Sequence, residues 1–204
     1  PGYPRGPLRF RPSALLRRTL RSVKFLRSYE AANSSCSGLF PIKRIDLLVR
    51  ALAVFGVRFP GCEVEWHHIG DGPLRSEMEA LAAACLRGNL RYVFHGQLAN
   101  DQVRAFYLEQ FIDAFVNISR SEGVPVSIME AQSAGIPVIA TAVGGTPELV
   151  NSGNGLLLPP DVTEEQMAGA LADVMENPAA WVQRRSASRR TWASMSDAGR
   201  NYRQ

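Results

Sequence analysis

Apolar positions along this chain fall into two alternating rhythms. In "RIDLLVRALAVFG", Ile45, Leu48, Val49, Leu52, Val54 and Phe55 recur at helical spacing, and Gly56 stands where a helix would be capped. "CEVEWHHIG" reads as a strand. "PLRSEMEALAAACLRG" reads as a helix opened by Pro73, "RYVFHG" as a strand, and "NDQVRAFYLEQ" as a helix capped by Asn100 or Asp101. "DAFVNIS" is a continuous apolar strand. A helix then spans about Pro125 to Ala134 and ends at Gly135, before the buried strand "PVIAT". "TPELV" opens a short helix with Thr146 as cap and Pro147 at its first position. "GLLL" is a last short strand, "TEEQMAGALADVM" a helix, and the remainder to Gln204 reads as helical and polar. The first strand, "AANSSCSG", is unusually polar.

Strands that are apolar throughout, alternating with helices, predict an α/β fold: a Rossmann-like parallel sheet with helices on both faces. Ligands of such sheets lie beyond the carboxyl ends of the strands. That directs attention to the loops Gly38–Lys43, Gly70–Pro73, Gly96–Leu98, Ser119–Pro125 and Ala142–Pro147.

Charge divides the chain. Residues 1–34 hold eight basic side chains (Arg5, Arg9, Arg11, Arg17, Arg18, Arg21, Lys24 and Arg27) and one acid, Glu30. Subtracting these from the 23 basic and 19 acidic residues of the chain leaves 15 and 18, a net of −3. The basic character thus belongs to an arm, and nucleic acid is not expected as a partner of the rest. The predicted organisation is a basic arm or linker remnant at 1–34, a ligand-binding domain at 35–190 and a helical tail at 191–204. Within the arm, Leu16, Leu20 and Val23 share a helical face. A linker helix packed on a further domain is expected there, with peripheral contact to an anionic membrane surface as the alternative.

No run approaches the roughly 18 apolar residues of a membrane helix, and no apolar region of a secretory signal follows the basic start. Three scattered cysteines (Cys36, Cys62 and Cys85) fit a reducing, cytoplasmic setting. The chain opens on Pro1, not Met, so a piece of a longer chain is expected.

The candidate chemistry lies in "SRSEGVPVSIMEAQSAGIPVIA", Ser119 to Ala140. Glu122 should sit on the loop leaving a strand, and Glu130 about one and a half turns into the following helix. The helix start offers free N–H groups and partial positive charge to a phosphate, and Gly123 lets its backbone approach closely. The two carboxylates would repel a phosphate, but they suit hydroxyls on either side of it. A diphosphate between two polyols, as in a nucleotide-sugar, fits this arrangement. Lys43 or Arg44, in the loop after the first strand, should supply a cation to the diphosphate.

These stretches resemble the C-terminal half of a retaining glycosyltransferase of the GT-B fold, glycosyltransferase family 4. "PIKRIDLLVRAL", "WHHIGDGP", "FHGQL", "EGVPVSIMEAQSAGIPVIAT", "VGGTPELV" and "NGLLLPPD" occur in that family's order, from about Ser35 to Asp173. The resemblance implies hexosyl transfer from a UDP- or GDP-linked sugar to an acceptor, with retention, as in polysaccharide biosynthesis. By it, Glu130 binds the ribose, Glu122 lies by the donor sugar, and Gly123, Val124 and Pro125 line sugar or diphosphate. Lys43 holds phosphate with Arg44 beside it, and Gly96, Gln97 and Leu98 lie near the nucleobase. Glu122 and Lys43 are the catalytic candidates, Glu122 as a binder at the reacting centre and not as a covalent nucleophile. Neither a metal nor another cofactor is expected, since fixed positive groups take that role.

Two departures stand out. Gly38 occupies the place, five residues before Lys43, where the family usually has an arginine. Nothing in the chain matches the family's N-terminal acceptor domain, so an acceptor domain or acceptor-binding partner chain is implied. The alternative is a non-catalytic sugar-nucleotide-binding module.

Other motifs carry less. His67 and His68 are strand neighbours that point to opposite faces, unsuited to share a metal. "IGDGP" lacks the spacing of a full dinucleotide fingerprint and reads as a turn. "GGTPE", Gly144 to Glu148, reads as a structural helix start.

Overall fold

A computed structural model describes residues 29–195; the expectations for the basic arm before Tyr29 and for the chain after Met195 lie outside the described residues. Six parallel strands form one sheet: β1 (Tyr29–Cys36), β2 (Cys62–Ile69), β3 (Leu90–Phe94), β4 (Ala114–Asn117), β5 (Val138–Thr141) and β6 (Gly155–Leu158). Their order is β3-β2-β1-β4-β5-β6, with β1 and β4 side by side at the centre, where the chain reverses its direction of winding. The fold is Rossmann-like, and such a reversal is where ligands of these sheets lie, here at the carboxyl ends of β1 and β4.

Seven α-helices accompany the strands: α1 (Ile45–Arg58), α2 (Arg75–Cys85), α3 (Asn100–Glu109), α4 (Val126–Ser133), α5 (Thr146–Leu149), α6 (Glu164–Glu176) and α7 (Pro178–Met195). They build two cores, one on each face of the sheet. Leu48, Leu52 and Phe55 of α1 and Met167 and Leu171 of α6 pack with Val64, Trp66, Val116 and Ile139. Val103 and Tyr107 of α3 and Ile128 and Ala131 of α4 pack with Phe115, Val138 and Ala140. Alternate residues of β4 and β5 thus enter opposite cores, and every residue of both strands is buried. That double coverage is why these strands read as unbroken apolar runs.

The polar first strand pairs in full with β2, from Tyr29 opposite Cys62 to Cys36 opposite Ile69. β1 begins inside the segment read from sequence as the arm, and α7 runs unbroken through residues 190 and 191. One buried hydroxyl group in β1 finds partners across the sheet. Ser35 Oγ accepts from Trp66 Nε1 at 3.0 Å and meets His68 Nδ1 at 2.9 Å. A buried polar group so bonded costs little, and the strand tolerates it.

Several caps differ from expectation. Gly56 lies within α1, which continues to Arg58. A Cβ at Gly56 would meet Leu90 Cδ1 at 2.6 Å, so close helix–strand packing explains the glycine. α2 starts at Arg75 and not at Pro73, and Ala99 caps α3 while the Gln102 side chain reaches back to its N–H. Gly145, not Thr146, is the cap of α5.

Candidate active site at the carboxyl ends of β1 and β4

The loop after β1 tightens into a 3₁₀ turn, Pro41–Lys43. Pro41 presets the turn, and Arg44, at φ 52°, reverses the chain into α1. That left-handed residue sends two adjacent cations to different places. The Lys43 ammonium meets Glu122 Oε1 at 2.7 Å. The Arg44 guanidinium is buried and donates to the carbonyls of Ile118 at 2.6 Å, Pro160 at 2.9 Å and Ser119 at 3.3 Å. Arg44 was expected among the donor-binding residues; with each of its guanidinium nitrogens engaged by backbone, it instead ties α1 to the end of β4. Lys43 stays at the carboxyl ends of β1 and β4, paired with Glu122.

Glu122 stands where the loop after β4 turns toward α4. Asn117, the buried last residue of β4, donates its side-chain amide to Glu122 Oε1 at 3.2 Å and accepts from the Ser119 N–H at 3.2 Å. The loop is fixed on other sides as well. Thr141 Oγ1 donates to the Ser119 carbonyl at 2.6 Å, the Arg120 N–H to the Ile42 carbonyl at 2.8 Å, and the Gly145 N–H to the Gly123 carbonyl at 2.8 Å. Burial alone would push the Glu122 carboxyl up. Hydrogen bonds from Lys43, Ser119 and Asn117, with the Lys43 charge, outweigh it and hold the group below the usual carboxylate range. Glu122 is therefore an anion with one oxygen already gripped.

Pro125 precedes α4 and offers its first turn no side-chain cap. The amides at that helix start are available to an anion. Gly123, Val124 and Val126 beside them are exposed.

Glu130 lies in the second turn of α4, half-buried. Burial raises its carboxyl, and the Arg104 charge offsets part of that. It lines a small hollow of about 60 Å³ with Arg104, Tyr107 and Trp192, a hollow that Glu122 does not share. Its charge reaches Cys36, the last residue of β1, whose thiol burial pushes up to about 11. Glu122 thus stands at the end of β4, while Glu130 faces a separate hollow between α3, α4 and α7, within reach of Cys36 at the end of β1. Gly96 is buried at φ 72° after the edge strand β3, with its carbonyl accepting from Gly70 N–H at 2.8 Å; Gln97 beside it is exposed and Leu98 half-buried. Gly38, in the loop after β1, has Phe40 where a side chain would begin: a Cβ there would lie 2.7 Å from the ring.

His67 and His68 go to opposite faces. His67 Nδ1 meets His95 Nε2 at 2.9 Å, while His68 is buried beside Ser35 and Trp66. Among the described residues, no cluster of three or more His, Cys, Asp or Glu is placed to hold a metal. Sequence reasoning missed Asn117 and Thr141, and it read Gly144 and Gly145 only as part of a structural helix start. A usable signal was present for Asn117, an amide ending an otherwise apolar strand in "DAFVNIS".

Comparison with known proteins accords with this geometry. A GDP-mannose-dependent alpha-(1-6)-phosphatidylinositol monomannoside mannosyltransferase of Mycobacterium tuberculosis is 32% identical over 176 residues, covering 82% of this chain and 44% of that protein. The chain therefore spans under half the length of this curated relative. Among solved structures, a sucrose-phosphate synthase from Thermosynechococcus elongatus matches with a TM-score of 0.68 at 26% identity, over 88% of this chain and 46% of that one. A TarM mutant of S. aureus, in complex with UDP among other ligands, matches with a TM-score of 0.70 at 18% identity, over 86% of this chain and 36% of that one. The family model described as "Glycosyl transferases group 1" matches residues 34–177. With the sheet order and the site at the ends of β1 and β4, this match establishes that the chain belongs to the group 1 glycosyl transferases.

Proposed function

We propose that this chain is the donor-binding half of a retaining glycosyltransferase of family 4, which moves a hexosyl group from a nucleoside diphosphate-sugar to an acceptor. The observation that carries the reading is the Lys43–Glu122 pair at 2.7 Å, set between the ends of β1 and β4 beside the uncapped start of α4. In this reading Lys43 and the α4 amides take the negative charge that grows on the leaving diphosphate. The Glu122 oxygen not gripped by Asn117 and Lys43 accepts from a sugar hydroxyl, and that contact orients the anomeric carbon. Glu130 accepts from the ribose hydroxyls, and Gly96–Leu98 border the base. Relatives support both nucleotide classes: the mycobacterial enzyme is GDP-mannose-dependent, and the staphylococcal structure holds UDP.

Calorimetry of the chain with UDP, GDP, UDP-glucose and GDP-mannose tests the reading. Binding of at least one pair, weakened by Glu130→Ala, is expected; no binding by a folded sample refutes it. The coverage of relatives favours a second reading, a module that binds donor but transfers nothing until an acceptor domain or partner chain joins it. Binding without turnover, with turnover restored by that second part, is its signature. Among the described residues no helix is long and apolar enough to cross a membrane. Peripheral contact through the basic arm, at the cytoplasmic face, remains part of the proposal, and flotation with anionic vesicles tests it.

A further inference from the structure

We propose that Gly144 and Gly145 form the backbone support that sets the position of Glu122, and so govern the sugar end of the donor while leaving its nucleotide end alone. The consequence for the donor rests on the reading above; the support of Glu122 stands on geometry.

The loop after β5 lies directly against the loop after β4. Gly144 sits at φ 52°, and a Cβ there would fall 1.8 Å from the Glu122 carbonyl oxygen, 2.8 Å from the Glu122 carbonyl carbon and 3.2 Å from the Gly123 carbonyl oxygen. Gly145 donates its N–H to that Gly123 oxygen at 2.8 Å, and a Cβ at 145 would lie 2.9 Å from the same atom. Gly123 itself faces open space where its own Cβ would be. The crowding is one-sided: Gly144 is required by the close approach of the Glu122 carbonyl and Gly145 by that of the Gly123 carbonyl, which belong to successive peptides.

The loop is bracketed as a result. At residue 119 it is held by Thr141 Oγ1, at residue 123 by the Gly145 N–H, and Glu122 lies between these anchors. Its carboxylate is then in place for Lys43 and Asn117 at 2.7 and 3.2 Å. A methyl group at 144 needs at least ~1.6 Å of extra room to reach an ordinary contact with the Glu122 carbonyl. Hydrogen bonds tolerate far less than that. Glu122 must therefore leave one or both partners, whereas Glu130, a turn and a half into α4, keeps its surroundings.

The test follows the Glu122 side-chain carboxyl by NMR titration in the wild-type chain and in Gly144→Ala, Gly145→Ala and Gly88→Ala. Gly88 provides the control. It has a similar positive φ of 69° but nothing near its Cβ position, so it shares the backbone strain and not the clash. Gly144→Ala is expected to move Glu122 up toward the ordinary carboxylate range. Gly145→Ala, whose backbone at φ −79° is relaxed, should do the same to a smaller degree and keep the fold. Gly88→Ala should lower stability and leave the titration unchanged. In parallel, Gly144→Ala or Gly145→Ala should lose roughly tenfold in affinity for UDP-glucose or GDP-mannose, with less than twofold loss for bare UDP or GDP. If Glu122 titrates as in wild type in both clash variants, or moves equally in Gly88→Ala, the support role is wrong. Equal losses for sugar nucleotide and bare nucleotide overturn the confinement to the sugar end. If the wild-type chain binds none of the four probes, the donor reading fails, and the titration still decides whether the glycines place Glu122.

Discussion

Lys43→Ala probes the proposed site most directly, because Lys43 has two partners in prospect. In the structure its ammonium lies 2.7 Å from Glu122, with the side chains 23% and 10% exposed. At that separation the gross attraction runs from about 1.5 kcal/mol at an effective dielectric of about 80 to about 6 kcal/mol at about 20. Desolvation and side-chain ordering cancel most of it, so losing the pair should cost the fold only about 1 kcal/mol. A bound diphosphate should feel more. It loses a charge-assisted contact of about 1.5–3 kcal/mol, and it then faces a Glu122 carboxylate without its counter-ion. The dissociation constant of UDP or GDP should rise about 10- to 100-fold, while that of uridine or guanosine changes less than about twofold. Glu122→Gln removes the repulsion, so the double variant should bind the diphosphate better than Lys43→Ala alone. Calorimetry of all four forms, at low and at physiological salt, measures both quantities. Equal losses for nucleoside and diphosphate, or strictly additive effects in the double variant, would remove Lys43 from the phosphate site and uncouple it from Glu122.

Other residues give independent checks. Glu130→Ala should weaken nucleotide binding by about 1–3 kcal/mol by losing a charged acceptor for ribose, and a matched comparison with the 2′,3′-dideoxynucleotide should show no loss if the contact is to those hydroxyls. Arg44→Lys should lower the melting temperature by several degrees, because one ammonium cannot serve three carbonyls in a fixed fork, while nucleotide affinity stays near wild type once the sample is folded. His68, buried and held neutral to about 4, is the base whose folded value lies below its ordinary 6.5. The unfolded chain binds the extra proton first, so stability should fall as pH drops from about 6.5 to about 4, and less so in His68→Gln. Asp113 runs the other way: burial raises it from 3.8 to about 6 against the Ala32 N–H and Arg185. Its folded state holds the proton longer, so stability should fall as pH rises through that window, and Asp113→Asn should remove this loss in a chemical-denaturation series.

The relation between sequence and site is clearest in the residues that ended up together. Periodicity alone separates helices from strands here, because the two helix-covered faces of the sheet bury β4 and β5 at every position and leave them apolar up to their last residues, Asn117 and Thr141. Spacing likewise places Glu122 on a loop and Glu130 in a helix, and the strand order then brings the loops after β1 and β4 to one edge. Local signals failed where a distant atom decided. Gly56 looked like a helix end but is a contact with Leu90, and Asn100 looked like a cap while the Gln102 side chain serves the N–H of Ala99. Lys43 and Arg44 are indistinguishable as a dipeptide. Only the left-handed turn at Arg44, stabilised by carbonyls from the residues just after β4 and after β6, sends one cation into the core and the other to Glu122.

By itself, then, the order of residues determined the alternating fold, the family it belongs to and the short list of groups at the strand ends, since each depends on periods and spacings within a few turns of chain. The tertiary structure alone decided which cation meets Glu122, that Asn117 and Thr141 brace its loop, and that two glycines lie against the carbonyls of Glu122 and Gly123. The Lys43, Thr141 and glycine contacts join segments far apart in the chain, and even the contact of Asn117 with Glu122, five residues on, depends on how the loop between them is folded, which no local period encodes.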